Sequence, residues 1–393
     1  MDASPNIRNQ FTLMSLILFI GCQGQVNKTE TIENSGYGNP NLVPENAHSV
    51  DTSAGWSQNG KKLLLTGTIY YSDGKTPAPG VLIYYYHTNL EGKYQHKPSD
   101  KNSIPPNEKG QTHGYIRGWM KTDTAGRYEL YTVRPGNYPT RDFPAHVHMT
   151  ILEPNGIKEY YIDDIVFDDD QLLTTAKRRK MENRGGTGVV RLVKRENLMI
   201  GERNIYLGLN IPGHQGNRKK KIQSGKNIGE DVISFTPFHA WGPDKGTRTC
   251  PVCKYGRYHG ILYFVGNKTE WPEIKQWLRF LEAESIKRRN YLKVYFIYGN
   301  DIAYDKKLRQ SALEEIGNEL GLKEVALTFV PAFSDTESEI HLNKVNQQVE
   351  NTFLLYKRST VFEKYINLKP GEENFALISR RLDESINPYF YLR

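Results

Sequence analysis

Residues 122–151, TDTAGRYELYTVRPGNYPTRDFPAHVHMTI, constrain this chain more than any other stretch. Two histidines, His146 and His148, stand one residue apart. In an extended strand, residues i and i+2 share a face. The Val, His, Met, Thr and Ile content of residues 145–151 favours such a strand, so both imidazoles can be offered to one point. Tyr138 lies eight residues before the first histidine, just after the turn Pro135-Gly136-Asn137. A second candidate tyrosine, Tyr94, sits in YYYHTNLEGKYQH. Phenolate is a hard anionic donor whose ordinary pKa is about 10. Only a strongly Lewis-acidic ion holds two phenolates near neutral pH, and ferric iron suits best among the common ions. A His-x-His pair alone is more often structural, and a lone tyrosine more often a core or surface residue. The combination is what points to a metal.

Around this stretch, residues 61–213 run as short segments of Leu, Ile, Val, Tyr and Thr. They are broken by turn signals: Ser72-Asp73-Gly74, Asn89-Leu90-Glu91-Gly92, Asp123-Thr124-Ala125-Gly126 and Pro154-Asn155-Gly156. No useful helical period occurs before residue 170. Regular strand–turn spacing predicts an antiparallel β-sandwich, with later strands over residues 188–193 and 204–210. The basic run Lys177-Arg178-Arg179-Lys180 reads as a solvated loop, not a nucleic-acid patch.

Over residues 61–213 the chain resembles the intradiol ring-cleavage dioxygenases, the catechol 1,2- and protocatechuate 3,4-type enzymes. The opening strand and turn resemble Thr66-Gly67-Thr68-Ile69 and Thr76-Pro77-Ala78-Pro79-Gly80-Val81. The segment of the first tyrosine ligand resembles Tyr86-His87-Thr88-Asn89 through Gly92-Lys93-Tyr94, with Tyr86 where a tryptophan is usual. Thr122-Asp123, Gly126, Tyr128, Thr132, Pro135-Gly136 and Tyr138-Pro139 resemble the segment of the second. Pro144-Ala145-His146-Val147-His148 resembles the histidine pair. The resemblance implies ferric iron (Fe3+) held by Tyr94, Tyr138, His146 and His148, with a catechol and O2 as substrates. It implies ring opening between the hydroxyl-bearing carbons to a muconate-type diacid, with Tyr138 leaving the metal to act as a base. The family places an arginine three residues before the first histidine, where this chain has Phe143. Arg141, two residues earlier and on the same side of an extended segment, is the candidate stand-in, and Arg134 is a second. The loop from Tyr138 to His146 is shorter than in the catechol 1,2-type enzymes. His87, His96 and His113 read as surface or supporting residues.

At 393 residues the chain has room for two domains of about 150 residues each. The apolar run over residues 12–21, behind Arg8, is too short to span a bilayer and reads as the core of a signal peptide over residues 1–22. Phe19-Ile20-Gly21-Cys22 resembles a bacterial lipobox, which implies lipidation at Cys22 and a secreted, membrane-tethered protein, periplasmic or at the cell surface. Residues 23–60, rich in Asn, Gly, Ser, Gln and Pro, read as a flexible tether. They are too short and polar for the helical dimerisation region of the catechol 1,2-type enzymes.

Residues 214–232, with Arg218-Lys219-Lys220-Lys221, read as a basic linker. From residue 233 apolar runs over 260–265, 293–298 and 325–330 alternate with amphipathic segments over 271–284 and 306–320. A strand hairpin over 352–356 and 361–366 and a helix near 374–383 follow. This α/β order resembles a thioredoxin-like fold over residues 233–393. In that fold the reactive cysteines follow the first core strand; here Cys250-Pro251-Val252-Cys253 precedes it. Three readings stay open for Cys250 and Cys253: a structural disulfide, a redox pair, or a zinc site with His239 or His259.

The sequence therefore predicts a tethered ferric intradiol dioxygenase fused to a thioredoxin-like domain. Its rivals are a thiol–disulfide oxidoreductase, or an aromatic- or carbohydrate-binding lipoprotein whose sandwich is not catalytic.

Overall fold

Strand Lys62–Tyr70 turns Leu63, Leu65 and Ile69 inward, and strand Leu82–His87 turns Ile83 and Tyr85 inward. Each repeats at the two-residue period that a half-buried strand requires. The computed structural model describes residues 44–100, 103–214, 222–302 and 304–386. The leader, Cys22, most of the tether and the basic run 218–221 lie outside the described residues. No helix among the described residues is long and apolar enough to cross a membrane.

Two sheets face each other over one core, each with five strands in line and one short strand beside them, Ile205–Tyr206 on Lys62–Tyr70 in the first and Tyr160–Tyr161 on His146–Leu152 in the second. The first runs Val50–Thr52, Arg127–Val133, Lys62–Tyr70, Leu198–Glu202, Val193–Arg195. The second runs Arg117–Lys121, Leu82–His87, His146–Leu152, Ile165–Phe167, Val189–Val190. The expectation of a purely antiparallel sandwich needs correction. Val50–Thr52 pairs parallel with Arg127–Val133, Leu198–Glu202 parallel with Lys62–Tyr70, and Ile165–Phe167 parallel with Val189–Val190. The predicted strand over 204–210 shrinks to Ile205–Tyr206, and Leu198–Glu202 was not foreseen. Residues 50–57, expected in the tether, form a strand and a 3-10 turn. The basic run 177–180 is not a plain loop. It falls in the short helix Thr175–Arg179 and its C-cap, and Arg179 pairs with Glu339 at 2.7 Å.

The core sets which way the histidine strand faces. Val147, Met149 and Ile151 go inward, so His146, His148 and Thr150 lie on the outer face of the second sheet. Tyr84 and Tyr86 on the neighbouring strand share that face, and Tyr86 sits directly opposite His148.

The second half is a mixed six-stranded sheet in the order Phe238–Trp241, Ala326–Phe329, Leu292–Tyr298, His259–Val265, Thr352–Lys357, Thr360–Ile366. Helices Trp271–Lys287 and Lys306–Leu320 link its three parallel strands, and Glu372–Glu384 closes the chain. All three helices bury their apolar stripes on one face, through Trp277, Leu281, Leu313, Ile378 and Leu382. Helix Lys306–Leu320 has the ends its sequence announces. Asp305 caps it by accepting from the Leu308 N–H at 2.8 Å, and Gly321 closes it at φ 61°. The edge strand Phe238–Trp241 was not foreseen. Part of the expected linker is packed as well: Ser224 is buried and shares a hydrogen bond with Thr352 at 2.5 Å.

The two halves meet through polar contacts. Gly229 receives the Thr187 N–H at 2.7 Å and donates to Val361 at 2.8 Å. Lys357 pairs with Glu202 at 2.8 Å. The fully buried Glu363 pairs with Arg381 at 2.9 Å and with Lys75 of the sandwich at 3.1 Å. Removing one partner of a buried ion pair strands the other charge. Glu363→Ala should therefore lower the unfolding free energy in urea by about 3 kcal/mol. Lys75→Ala, at a half-exposed position, should cost less than about 1 kcal/mol. Equal losses would show that the buried carboxylate is not the anchor.

Candidate metal centre

The four residues picked out by the sequence come together. The Tyr94 and Tyr138 hydroxyls are 2.8 Å apart, and Tyr138 lies 3.0 Å from His146 Nε2. The two Nε2 atoms are 3.1 Å apart, and His148 Nε2 is 2.9 Å from the Tyr94 hydroxyl. The four donor atoms thus form a closed ring with nearly equal sides.

Local sequence explains the convergence. The histidines come from one strand by the two-residue period. The tyrosines come from two loops that cross at van der Waals limits. A Cβ on Gly136 would lie 2.3 Å from the Leu90 carbonyl oxygen, and one on Gly92 would lie 1.8 Å from that of Asn137. Gly92 also sits at φ 74°, in the region that favours glycine. Asp170 fixes the Tyr138 loop at both ends. One carboxylate oxygen accepts from the Asn137 side chain at 2.9 Å and from the Ala145 N–H at 2.8 Å.

The proton count shows what the ring is suited to hold. His146 Nδ1–H donates to the Pro144 carbonyl at 2.8 Å, and His148 Nδ1–H donates to Asp164 at 2.7 Å. Both rings therefore turn a bare Nε2 lone pair inward. Two phenol protons can serve the two nitrogens, but nothing then lies between the paired nitrogens or between the paired oxygens. A cation at the centre satisfies all four atoms. An ion with bonds of about 2.0–2.2 Å needs its donors about 3 Å apart, and the ring has that spacing. Burial pushes the Tyr94 phenol far above its ordinary range, with the neighbouring Tyr138 adding to the effect. Burial also raises Tyr138 and lowers His146. Without a cation, both phenols keep their protons at neutral pH and His146 stays uncharged.

Asp164 was missed by the sequence reading. It lies one residue before strand Ile165–Phe167, whose register with the histidine strand places it across from His148. No linear spacing announces that pairing; it exists only once the strands are aligned. Burial works to raise its carboxyl, but the imidazoles of His148 and His146 outweigh this and hold it at about 2. It is therefore an anion that orients the His148 ring, the usual partner of a metal-bound imidazole. His146, His148 and Asp164 also form a compact group with ligand atoms within 4.8 Å of one another.

An aromatic stack supports the same ring. Tyr86 lies flat on His148 at 4.4 Å, and His113 lies flat on the other side of Tyr86 at 3.6 Å and 3°. His113 Nδ1 meets the Tyr84 hydroxyl at 2.8 Å. His113 is therefore a supporting residue, and His96 bonds Ser103 instead. His87 is a core residue held by the Thr88 carbonyl and the Thr132 hydroxyl, each at 2.7 Å.

Arg141 is exposed and its guanidinium lies 5.8 Å from the centre of the Tyr138 ring. Arg134, the other stand-in, is turned away: it pairs with Asp169 at 2.7 Å and covers Phe167. Phe143 packs edge-on against His146 at 4.9 Å and is 39% exposed, marking the open side of the site. Cys250 and Cys253 are joined as a disulfide. Neither His239 nor His259 joins a metal-binding group with them among the described residues.

Residues 32–184 match the model of a protein family described as dioxygenase. A 99-residue segment is 30% identical to the protocatechuate 3,4-dioxygenase beta chain of Burkholderia cepacia, covering 24% of this chain and 39% of that protein. A 122-residue segment is 30% identical to catechol 1,2-dioxygenase of Acinetobacter baylyi, covering 27% of this chain and 36% of that protein. Part of this chain is thus similar to protocatechuate and catechol dioxygenases. The chain spans less than half the length of these relatives. Among solved structures, the dioxygenase domain of a dioxygenase–carbohydrate-binding fusion from Streptomyces sp. SirexAA-E is 19% identical, with a TM-score of 0.30. It covers 42% of this chain and 91% of that one. Catechol 1,2-dioxygenase from Acinetobacter sp. ADP1 is 21% identical, with a TM-score of 0.32. It covers 45% of this chain and 64% of that one. Overall likeness at that level carries no weight for function.

Two outcomes follow from this geometry. Asp164→Asn should weaken ferric-ion affinity about 10- to 100-fold in chelator competition, with the fold retained; unchanged affinity would remove Asp164 from the site. His87 is held at about 4 by burial, against about 6.5 in an open chain. Between those values the unfolded chain binds a proton that the folded chain refuses, so stability falls as acid is added. The loss on urea unfolding from pH 6.5 to 4 should be smaller by up to about 3 kcal/mol in His87→Gln, with His113 and His259, also held down by burial, supplying part of what remains.

Proposed function

We propose that this chain is a ferric intradiol dioxygenase that opens catechol-type rings with O2 to muconate-type diacids. The observation that carries the reading is the closed ring of two phenol oxygens and two bare imidazole nitrogens. Tyr94, Tyr138, His146 and His148 would hold the ion. Bound ferric iron would supply the Lewis acidity that keeps both phenols deprotonated and draws electron density from a catechol ring.

The chain's own residues divide the remaining work. Asp164 and the Pro144 carbonyl fix both imidazoles with their lone pairs inward. Tyr94 is the more deeply held phenol, wedged against Tyr86 and Tyr138. Tyr138 stands beside exposed Arg141, so it is the phenol placed to take a proton from the substrate hydroxyl. Arg141 is placed to favour Tyr138 as the anion and to offset negative charge on the substrate. Phe143, exposed beside His146, gives an apolar wall for a flat ring.

The mixed sheet and its helices we read as a thioredoxin-like domain. The support is its order of three parallel strands, an antiparallel hairpin and a closing helix. Export and tethering through Cys22 rest on the leader sequence.

Oxygen uptake by the iron-loaded full chain on adding catechol, with a ring-opened diacid as product, tests the reading. Tyr138→Phe should cut turnover by at least about 100-fold. Full iron loading without oxygen uptake on any catechol would favour a sandwich that only binds its ligand.

A further inference from the structure

We infer that Cys250 and Cys253 form a working thiol–disulfide exchange site that accepts electrons from an external dithiol, an activity independent of the dioxygenase reading. The bond is poorly placed to act as a staple. It joins residues three apart on one short helical turn, Pro251–Tyr255. That turn is already closed by the Lys254 N–H on the Cys250 carbonyl at 3.1 Å and by the Cys253 N–H on Cys250 Sγ at 3.1 Å. Disulfide stabilisation grows with the length of loop closed, and this ring ties no separate elements together.

The surroundings hold the segment whether or not the sulfurs are bonded. His239 Nε2–H donates to the Thr249 carbonyl at 2.9 Å, just before Cys250. Lys254, just after Cys253, pairs with Asp244 at 2.5 Å. Pro251 and Val252 between the cysteines are buried. Asp244 keeps its second carboxylate oxygen buried without a hydrogen-bond partner, and His239 keeps its Nδ1 so. A buried polar atom without a partner calls for a reason of its own, and a redox role is one such reason.

The two sulfurs differ in the way exchange requires. Cys253 is exposed, whereas Cys250 is half-buried against the cluster of Val252, Tyr255, Tyr295 and Tyr356. A thiolate of the external dithiol attacks Cys253 Sγ. The Cys250–Cys253 bond breaks, and Cys250 leaves as a thiolate that the Cys253 N–H stabilises and water then protonates. The second external thiol attacks the mixed disulfide. Cys253 thiolate is released and protonated, and the external disulfide departs. Two electrons and two protons pass from the external dithiol to this chain.

The test uses the full chain carrying Cys22→Ser, with dithiothreitol as the dithiol. Without denaturant, two thiols per chain should appear, and the melting temperature should shift by less than about 5 °C. A Cys250→Ser variant should leave a Cys253 thiol that reacts with an aromatic disulfide reagent roughly tenfold faster than the Cys250 thiol of Cys253→Ser. Thiols released only in denaturant, or a reduced protein that unfolds, would make the bond a staple and overturn the inference. Equal reactivity of the two thiols would overturn the assigned direction of attack and the asymmetry on which the site rests.

Discussion

Four polar atoms at one point, with too few protons to pair them, form the constraint on which this structure depends. His146 and His148 spend their Nδ1 hydrogens on Pro144 and Asp164, so their inner nitrogens can only accept. The phenols of Tyr94 and Tyr138 can satisfy one nitrogen each and no more. Two like-sided contacts, nitrogen to nitrogen and oxygen to oxygen, stay unmediated. Left so, a half-buried cluster costs free energy; an ion of high charge converts the same geometry into four bonds.

The rest of the sandwich serves that arrangement. The inward period of Val147, Met149 and Ile151 sends the histidines outward. Gly92 and Gly136 let two loops touch backbone to backbone, where any side chain would part the tyrosines. Asp164 and the stack of Tyr86 and His113 hold one imidazole from two directions. The donors are fixed by packed strands and loops ahead of binding, which is what keeps a site selective for its ion.

The site was legible in the sequence to the extent that its chemistry is local. His146 and His148 declare themselves by spacing, and Tyr94 and Tyr138 by their place in a resemblance. Asp164 is invisible in one dimension, because it reaches His148 only through strand register. The helices show the same division. Lys306–Leu320 is bounded by a capping aspartate and a glycine stop, so its ends could be read off. The parallel pairings of Val50–Thr52 and Leu198–Glu202 could not, since nothing in a strand's own composition names its partner. Residues 50–57 and 224–232 looked like linkers because they are polar and glycine-bearing. They are ordered by backbone hydrogen bonds, which leave no mark on side-chain composition.

The most direct test counts phenolates on the metal. The account predicts that ferric loading turns the protein burgundy, and that resonance Raman excitation in this band shows two sets of tyrosinate modes. Tyr94→Phe should remove one set and Tyr138→Phe the other. Iron bound at one equivalent with no visible band, or with tyrosinate modes that survive both substitutions, would contradict it.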